Sequence, residues 1–177
     1  MGMDAHYIIK HLNLKPLPYE GGYFRETYRS DEIIPHVGLP PRYSTEKSFS
    51  TSIYYLITSD TFSALHRIRS DEVFHFYLGA PVTMLQLLPD ETGKTVILGN
   101  DLERGHVPQC VVPRMTWQGL LLEGDGEYAL MGTTVAPSFD SDDFEFGGRS
   151  ALVSRYPQFA GLIKRLTRED NFFKTTK

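Results

Sequence analysis

From residue 49 onward the apolar residues fall in short runs and alternations, FSTSIYYLI, FSALHRI, EVFHFYL, VTMLQLL, TVILG, VPQCVV, WQGLLL and YALMGTTV, each long enough for one β-strand. Turn-forming residues separate them at Ser59-Asp60, Gly79-Ala80-Pro81, Asp90 to Gly93, Gly99 to Asp101 and Glu123 to Gly126. Regularly spaced strands broken in this way predict an all-β sandwich or barrel. No βαβ alternation, fixed-period repeat or low-complexity tract competes with that pattern.

The flanks carry other periods. Residues 4–12 place Tyr7, Ile8 and Leu12 at helical spacing behind a possible N-cap at Asp4, which predicts a short leading helix ended by Pro16 and Pro18. Gly21 and Gly22 then open a strand over residues 23–29, with Phe24, Glu26 and Tyr28 on one face and Tyr23, Arg25, Thr27 and Arg29 on the other. Residues 30–47, with Pro35, Gly38, Pro40 and Pro41, predict a long loop able to cover a pocket mouth. Past Phe139 an acidic loop leads to two closing helical pieces, residues 150–156 and 159–166, on either side of Pro157. The 177 residues read as a single domain.

Composition narrows the partners. A hydrophobic content of 41% supports a substantial core, and a net charge of −4 offers no general attraction to phosphate backbones or anionic lipid. Nucleic acid and membranes are therefore not expected partners, and a small polar molecule is. No apolar run reaches the ~18 residues of a bilayer span. The opening MGMDAHYIIKHLNLK is too polar for a signal peptide, so a cytoplasmic location is expected. The single cysteine, Cys110, fits a reducing compartment and reads as a small buried hydrophobe beside Val111 and Val112.

Two segments carry the candidate chemistry: residues 62–79 (FSALHRIRSDEVFHFYLG) and 112–122 (VPRMTWQGLLL). Together they resemble the signature strands of a cupin barrel. The first such strand pair reads His, any residue, His, three or four residues, Glu, six residues, Gly; the second reads Pro, any residue, Gly, two residues, His. His66, Glu72 and Gly79 hold their places in that frame. Ile68 stands for the second histidine, Met115 for the glycine after Pro113, and Gln118 for the second motif's histidine. Two of the four usual ligands are missing. One histidine, one carboxylate and an amide make a poor transition-metal set, so no metal or other cofactor is expected.

Strand parity within that frame predicts which side chains meet. His66 shares a face with Ala64 and Ile68; Glu72 with Phe74, Phe76 and Leu78; Gln118 with Thr116 and Leu120. With Glu72 inward, the interior becomes His66, Glu72 and Gln118 walled by Ile68, Phe74, Phe76 and Leu120, and His75 points out unless a bulge shifts the register. An apolar cavity with a few converging polar groups suits a small ligand. A histidine beside a carboxylate suits general acid–base work near neutral pH, so His66 and Glu72 are the candidate catalytic pair, unless they merely satisfy one another inside the barrel.

Other residues carry weaker signals. Arg25 could pair with an anionic ligand group or with Glu26 or Glu20 at an edge. Tyr23, Tyr54, Tyr55 and Tyr128 could each supply a phenol, and Tyr23 and Arg25 join Ile68, Phe74, Phe76 and Gln118 as candidate ligand contacts. The acidic run Asp140, Asp142, Asp143 and Glu145 lacks the spacing of a calcium loop and reads as solvated. Hydrolase elbows, phosphate loops, dinucleotide fingerprints and zinc-protease motifs are all missing from the sequence.

Beyond the general frame, the ordered blocks EGGYFRE (20–26), FSALHR (62–67), DEVFHFYLGAP (71–81), VPRMTWQ (112–118) and VAPSF (135–139) resemble the cupin-five branch of uncharacterised cupins. The chain departs from that branch at Tyr19, where histidine is common, at Phe74, where tryptophan is common, and at Met115 and Ser138, where glycine is common. The resemblance implies a double-stranded β-helix, or jelly roll, of the sugar-nucleotide-epimerase-like type, usually a homodimer. It points to a small polar or carbohydrate-like ligand and, if there is turnover, to metal-independent isomerisation or epimerisation. A non-catalytic binding or sensing protein and a metal-dependent cupin enzyme are the alternatives.

Overall fold

The alternating runs pair into two facing antiparallel sheets in the computed structural model, which describes residues 4–169. The leading helix α1 (Ala5–His11) is capped by Asp4, whose carboxylate accepts from the Tyr7 amide at 2.7 Å. The strands are β1 (Lys15–Pro16), β2 (Tyr23–Arg29), β3 (Ile33–Ile34), β4 (Lys47–Ser48), β5 (Thr51–Thr58), β6 (Ser63–Arg67) and β7 (Asp71–Gly79). They continue as β8 (Val82–Leu87), β9 (Gly93–Leu98), β10 (Gln109–Val112), β11 (Trp117–Leu122), β12 (Tyr128–Ala136) and β13 (Glu145–Phe146). Two short helices close the chain, α2 (Arg149–Arg155) and α3 (Ala160–Arg165).

One sheet runs β1-β2-β5-β12-β7-β10 and the other β13-β6-β11-β8-β9, the double-stranded β-helix expected from the sequence. Every apolar run from residue 49 to residue 136 lies on one of these strands. Their inner faces bury Phe74, Phe76, Val82, Met84, Leu120 and Met131 against one another. Each such side chain contributes about 1.5–3 kcal/mol by leaving water. A second cluster, Leu65, Leu85, Leu87 and Trp117, lies behind the five-stranded sheet, where Leu152, Tyr156 and Ile163 of the closing helical region cover it. Among the described residues no helix is long and apolar enough to cross a membrane.

Two irregularities change parity where it matters. Between Glu26 and Tyr28 the β2–β5 register slips, so Arg29 lies opposite Thr51 and takes the face of Phe24 and Glu26 in place of Tyr28, which is exposed. Between β6 and β11, Gln118 pairs with His66 but Leu120 pairs with Ser63. The extra residue puts Ser63, rather than Ala64, on the inner face with His66. Residues 30–47 are also more ordered than a plain loop: they contain β3 and a helical turn and lead into β4, and their Tyr43 is buried.

Candidate functional site

Pairing across the six-stranded sheet aligns inward rows. Glu72, Val135, Thr51 and Arg29 form one; Phe74, Thr133, Ile53 and Glu26 the next; Phe76, Met131, Tyr55 and Phe24 the third. From the opposite sheet come His66 and, just past β6, Ile68. Between them lies a cavity of about 270 Å³ lined by His66, Ile68, Glu72, Phe74, Tyr55 and Thr133, with Leu17, Glu20 and Phe24 of the N-terminal region and Glu26, Arg29, Phe139, Asp140, Ser141 and Phe144 also on its walls.

His66 is buried, and its Nδ1 lies 2.8 Å from the Ala64 carbonyl oxygen. A carbonyl only accepts, so Nδ1 carries the proton shared with Ala64, and Nε2 is the nitrogen left for a ligand. The ring stacks on Phe144, centroids 4.7 Å apart. Glu72 is buried beside it and accepts a hydrogen bond from Gln118 Nε2 at 2.5 Å. Burial pushes the Glu72 carboxyl above its ordinary pKa, against the opposing pull of the His66 charge and of hydrogen bonds from Gln118 and Thr133. The carboxylate is thus oriented by Gln118, and the imidazole by Ala64, so the two act as neighbours in one field.

The remaining sequence candidates divide. Ile68 and Phe74 line the cavity, whereas Phe76 is packed into the core with Met84 and Leu120. Gln118 sits behind Glu72 and reaches the cavity only through it. Tyr23 and Arg25 lie on the outer face of β2: Tyr23 packs against the Ile8, Leu14 and Leu56 cluster, and Arg25 lies over the Tyr54 ring at 5.4 Å. Among the four tyrosines weighed from the sequence, Tyr55 lines the cavity; its hydroxyl donates to the Gly21 carbonyl at 3.0 Å. Burial, reinforced by the Glu20 charge, raises its pKa well above the ordinary phenol, which keeps it a neutral donor. His75 points away, its ring nitrogens near Gln109 and Thr134.

The acidic loop is the main departure from the sequence reading. Asp142 and Glu145 are exposed as expected, but Asp143 is buried and the loop is anchored by Lys47, whose side chain is 1% exposed and whose Nζ contacts Asp140 at 2.7 Å and Asp143 at 2.6 Å. This fixes Phe139, Asp140, Ser141 and Phe144 over the cavity, the covering place that residues 30–47 were expected to fill. Arg29 completes the rim, bonding Glu26 at 2.9 Å and the Phe139 carbonyl at 3.0 Å.

The usual cupin metal set does not fit these residues. Ile68 offers no donor at the second histidine position, and among the described residues no three His, Cys, Asp or Glu side chains converge as metal ligands.

Comparison with known proteins agrees with the architecture. The family described as Cupin superfamily (DUF985) matches residues 6–147. An uncharacterised protein of Saccharomyces cerevisiae is 30% identical over 135 residues, 72% of this chain and 67% of that one. A Shewanella oneidensis protein of known crystal structure is 33% identical with a TM-score of 0.82, over 95% of this chain and 99% of the other. A hypothetical protein of Leishmania major is 32% identical with a TM-score of 0.84, over 94% and 100%. With most of its length matched in sequence and in fold, this chain belongs to the cupin superfamily, in the DUF985 family.

Proposed function

We propose that this protein binds a small polar, carbohydrate-like molecule in its barrel cavity and isomerises or epimerises it without a metal. The observation that carries this reading is the fixed tautomer of His66. With Nδ1 tied to Ala64, Nε2 is left as the nitrogen free to take a proton on the wall of a mostly apolar cavity. In this reading Nε2 takes the proton from the carbon next to a ligand carbonyl, and the carbonyl oxygen takes up the electron pair as an enolate. Glu72 stabilises the imidazolium while the proton is held. The proton then returns from Nε2 to the same carbon after the enolate has turned its other face to His66, or to the neighbouring carbon while that carbon's former carbonyl oxygen takes up the proton of the adjacent hydroxyl, and His66 is restored.

One feature favours a second reading, a binding or sensing protein without turnover: Glu72 is tied to Gln118 rather than to the histidine ring it would orient. Incubation with a panel of aldoses and ketoses in deuterated water separates the two. Solvent deuterium entering the carbon next to the carbonyl, and lost in His66→Ala, supports isomerisation. Saturable binding with no exchange supports the second reading. The assembly proposed is a homodimer, since β9, beyond the stretch that Val107 pairs, and β10 lie at the edges of their sheets.

A further inference from the structure

The turn before β2 is strongly contorted. Tyr19, Gly21 and Gly22 all adopt positive φ, at 66°, 106° and 73°. Left-handed backbone at a tyrosine is costly, and a β-carbon on Gly22 would lie 2.6 Å from the Leu56 carbonyl oxygen. Hydrogen bonds hold the turn in place: the Ala64 amide donates to the Glu20 carbonyl at 2.8 Å, the Gly21 amide to Leu17 at 3.0 Å, and the Tyr55 hydroxyl to Gly21 at 3.0 Å. The result is that Glu20 enters the barrel. Its Oε1 accepts from Ser63 Oγ at 3.0 Å, and Ser63 is the residue that the β6 bulge turns inward, 1% exposed. Backbone strain at one element and a register shift at another thus converge on placing one carboxylate on the cavity wall.

We propose that Glu20 acts with Glu72 as a pair of cavity carboxylates set apart from Glu26 and Asp140, which Arg29 matches at the rim, and that the pair confines the ligand to neutral polyhydroxylated or cationic molecules. This rests on the reading of the cavity as a ligand site. The charged groups around the pair are few. Tyr55 of β5 is a neutral phenol, His66 of β6 lies beside Glu72, and Arg168 lies against the outside of the turn, donating to the Tyr19 carbonyl at 2.7 Å. At the rim Arg29 is held by Glu26 and Asp140, so its charge is already matched. Among the described residues nothing else lining the cavity would offset an anionic ligand. Two carboxylates, each able to accept several hydrogen bonds, suit vicinal hydroxyls or an ammonium group. The influence of Glu20 on Glu72 acts in the same direction as burial, raising the Glu72 carboxyl pKa.

The test uses three probes of one shape and three charges, glucosamine, glucose and glucuronate, followed by ligand-observed NMR at neutral pH against wild type and Glu20→Gln. The expected order in wild type is glucosamine, then glucose, with glucuronate weakest. Glu20→Gln should remove about tenfold of the glucosamine preference, the size of one charge-assisted hydrogen bond. Glucuronate binding as well as glucosamine, or an order unchanged by Glu20→Gln, would overturn the proposal. Carbon-detected titration of Glu72 in both proteins supplies a readout that needs no ligand. Glu20→Gln should lower the Glu72 midpoint, and an unmoved midpoint overturns the pairing. If no sugar binds but the midpoint falls, the carbohydrate reading fails while the acidic pair stands; circular dichroism confirms that the variant is folded.

Discussion

The ring of His66 lies against that of Phe144 with planes 16° from parallel, so the candidate base is positioned by a residue that belongs to neither signature strand. Phe144 in turn meets Phe139 and Phe146 edge to face. The acidic loop is therefore a wall of the site, and its anchoring decides how sharply the imidazole is held.

Replacing Phe144 by Ala should release that ring. Stacked aromatic pairs are worth about 0.5–1.5 kcal/mol beyond their buried area, so a modest loss of stability is expected, together with broadened or shifted His66 ring signals in NMR. Phe144→Tyr should retain both. His66 signals unchanged by Phe144→Ala would show that Ala64 alone fixes the ring.

Lys47 anchors the same loop from beneath. Its partner Asp143 is also buried, with a side chain 2% exposed, so Lys47→Met strands a carboxylate away from water. Removing one member of such a pair costs about 3–5 kcal/mol. The double variant Lys47→Met with Asp143→Leu should recover most of that loss, because both desolvation penalties disappear together. Chemical denaturation of the three proteins decides it: a double variant no more stable than the single one would locate the cost elsewhere in the loop.

How much of this site was legible beforehand follows from its geometry. Parity along β7 and β11 correctly put Glu72, Phe74 and Gln118 inward, because those strands keep an unbroken alternation through these residues. It misassigned Arg29 and Ser63, since a single extra residue at a bulge leaves no mark in a hydrophobic pattern but reverses every side chain beyond it. The Lys47–Asp143 pair was out of reach for another reason: its members stand 96 residues apart, and each alone looks like an ordinary surface charge. Glu20 carried one signal that could have been read, the two glycines after it, which mark a backbone conformation built to place something.

The buried Glu72 carboxyl makes a pH dependence with a definite sign. Its folded-state pKa is raised, chiefly by desolvation, so the folded protein holds a proton there that the unfolded chain has already released. Between the ordinary value of 4.5 and the raised one, stability attributable to this group falls as pH rises, and above the raised value the loss is complete. Glu72→Gln has no charge to bury. Melting curves from acid to neutral pH should therefore show the variant gaining on wild type as pH rises. A stability difference that stays flat across that range would mean that the interior solvates the carboxylate as well as water does.

Ile68 provides the sharpest test of the metal argument, since the cupin frame puts a ligand there and the structure puts an apolar wall. Its side chain faces the cavity with His66 and Glu72, and the Nε2 of His66 is the nitrogen not engaged by Ala64. Ile68→His should therefore add a second imidazole to one carboxylate and one imidazole, three donors of the kind that hold zinc or nickel with water completing the shell. Dialysis against micromolar zinc followed by elemental analysis should give near-stoichiometric metal in Ile68→His and far less in wild type. The gain should vanish in the double variant with His66→Ala, which ties the metal to this cavity rather than to the surface. If wild type instead retains metal as well as Ile68→His does, the donor argument is wrong at its root. The proton transfer assigned to His66 must then be rebuilt around a metal that His66 and Glu72 hold with ligands from outside the frame.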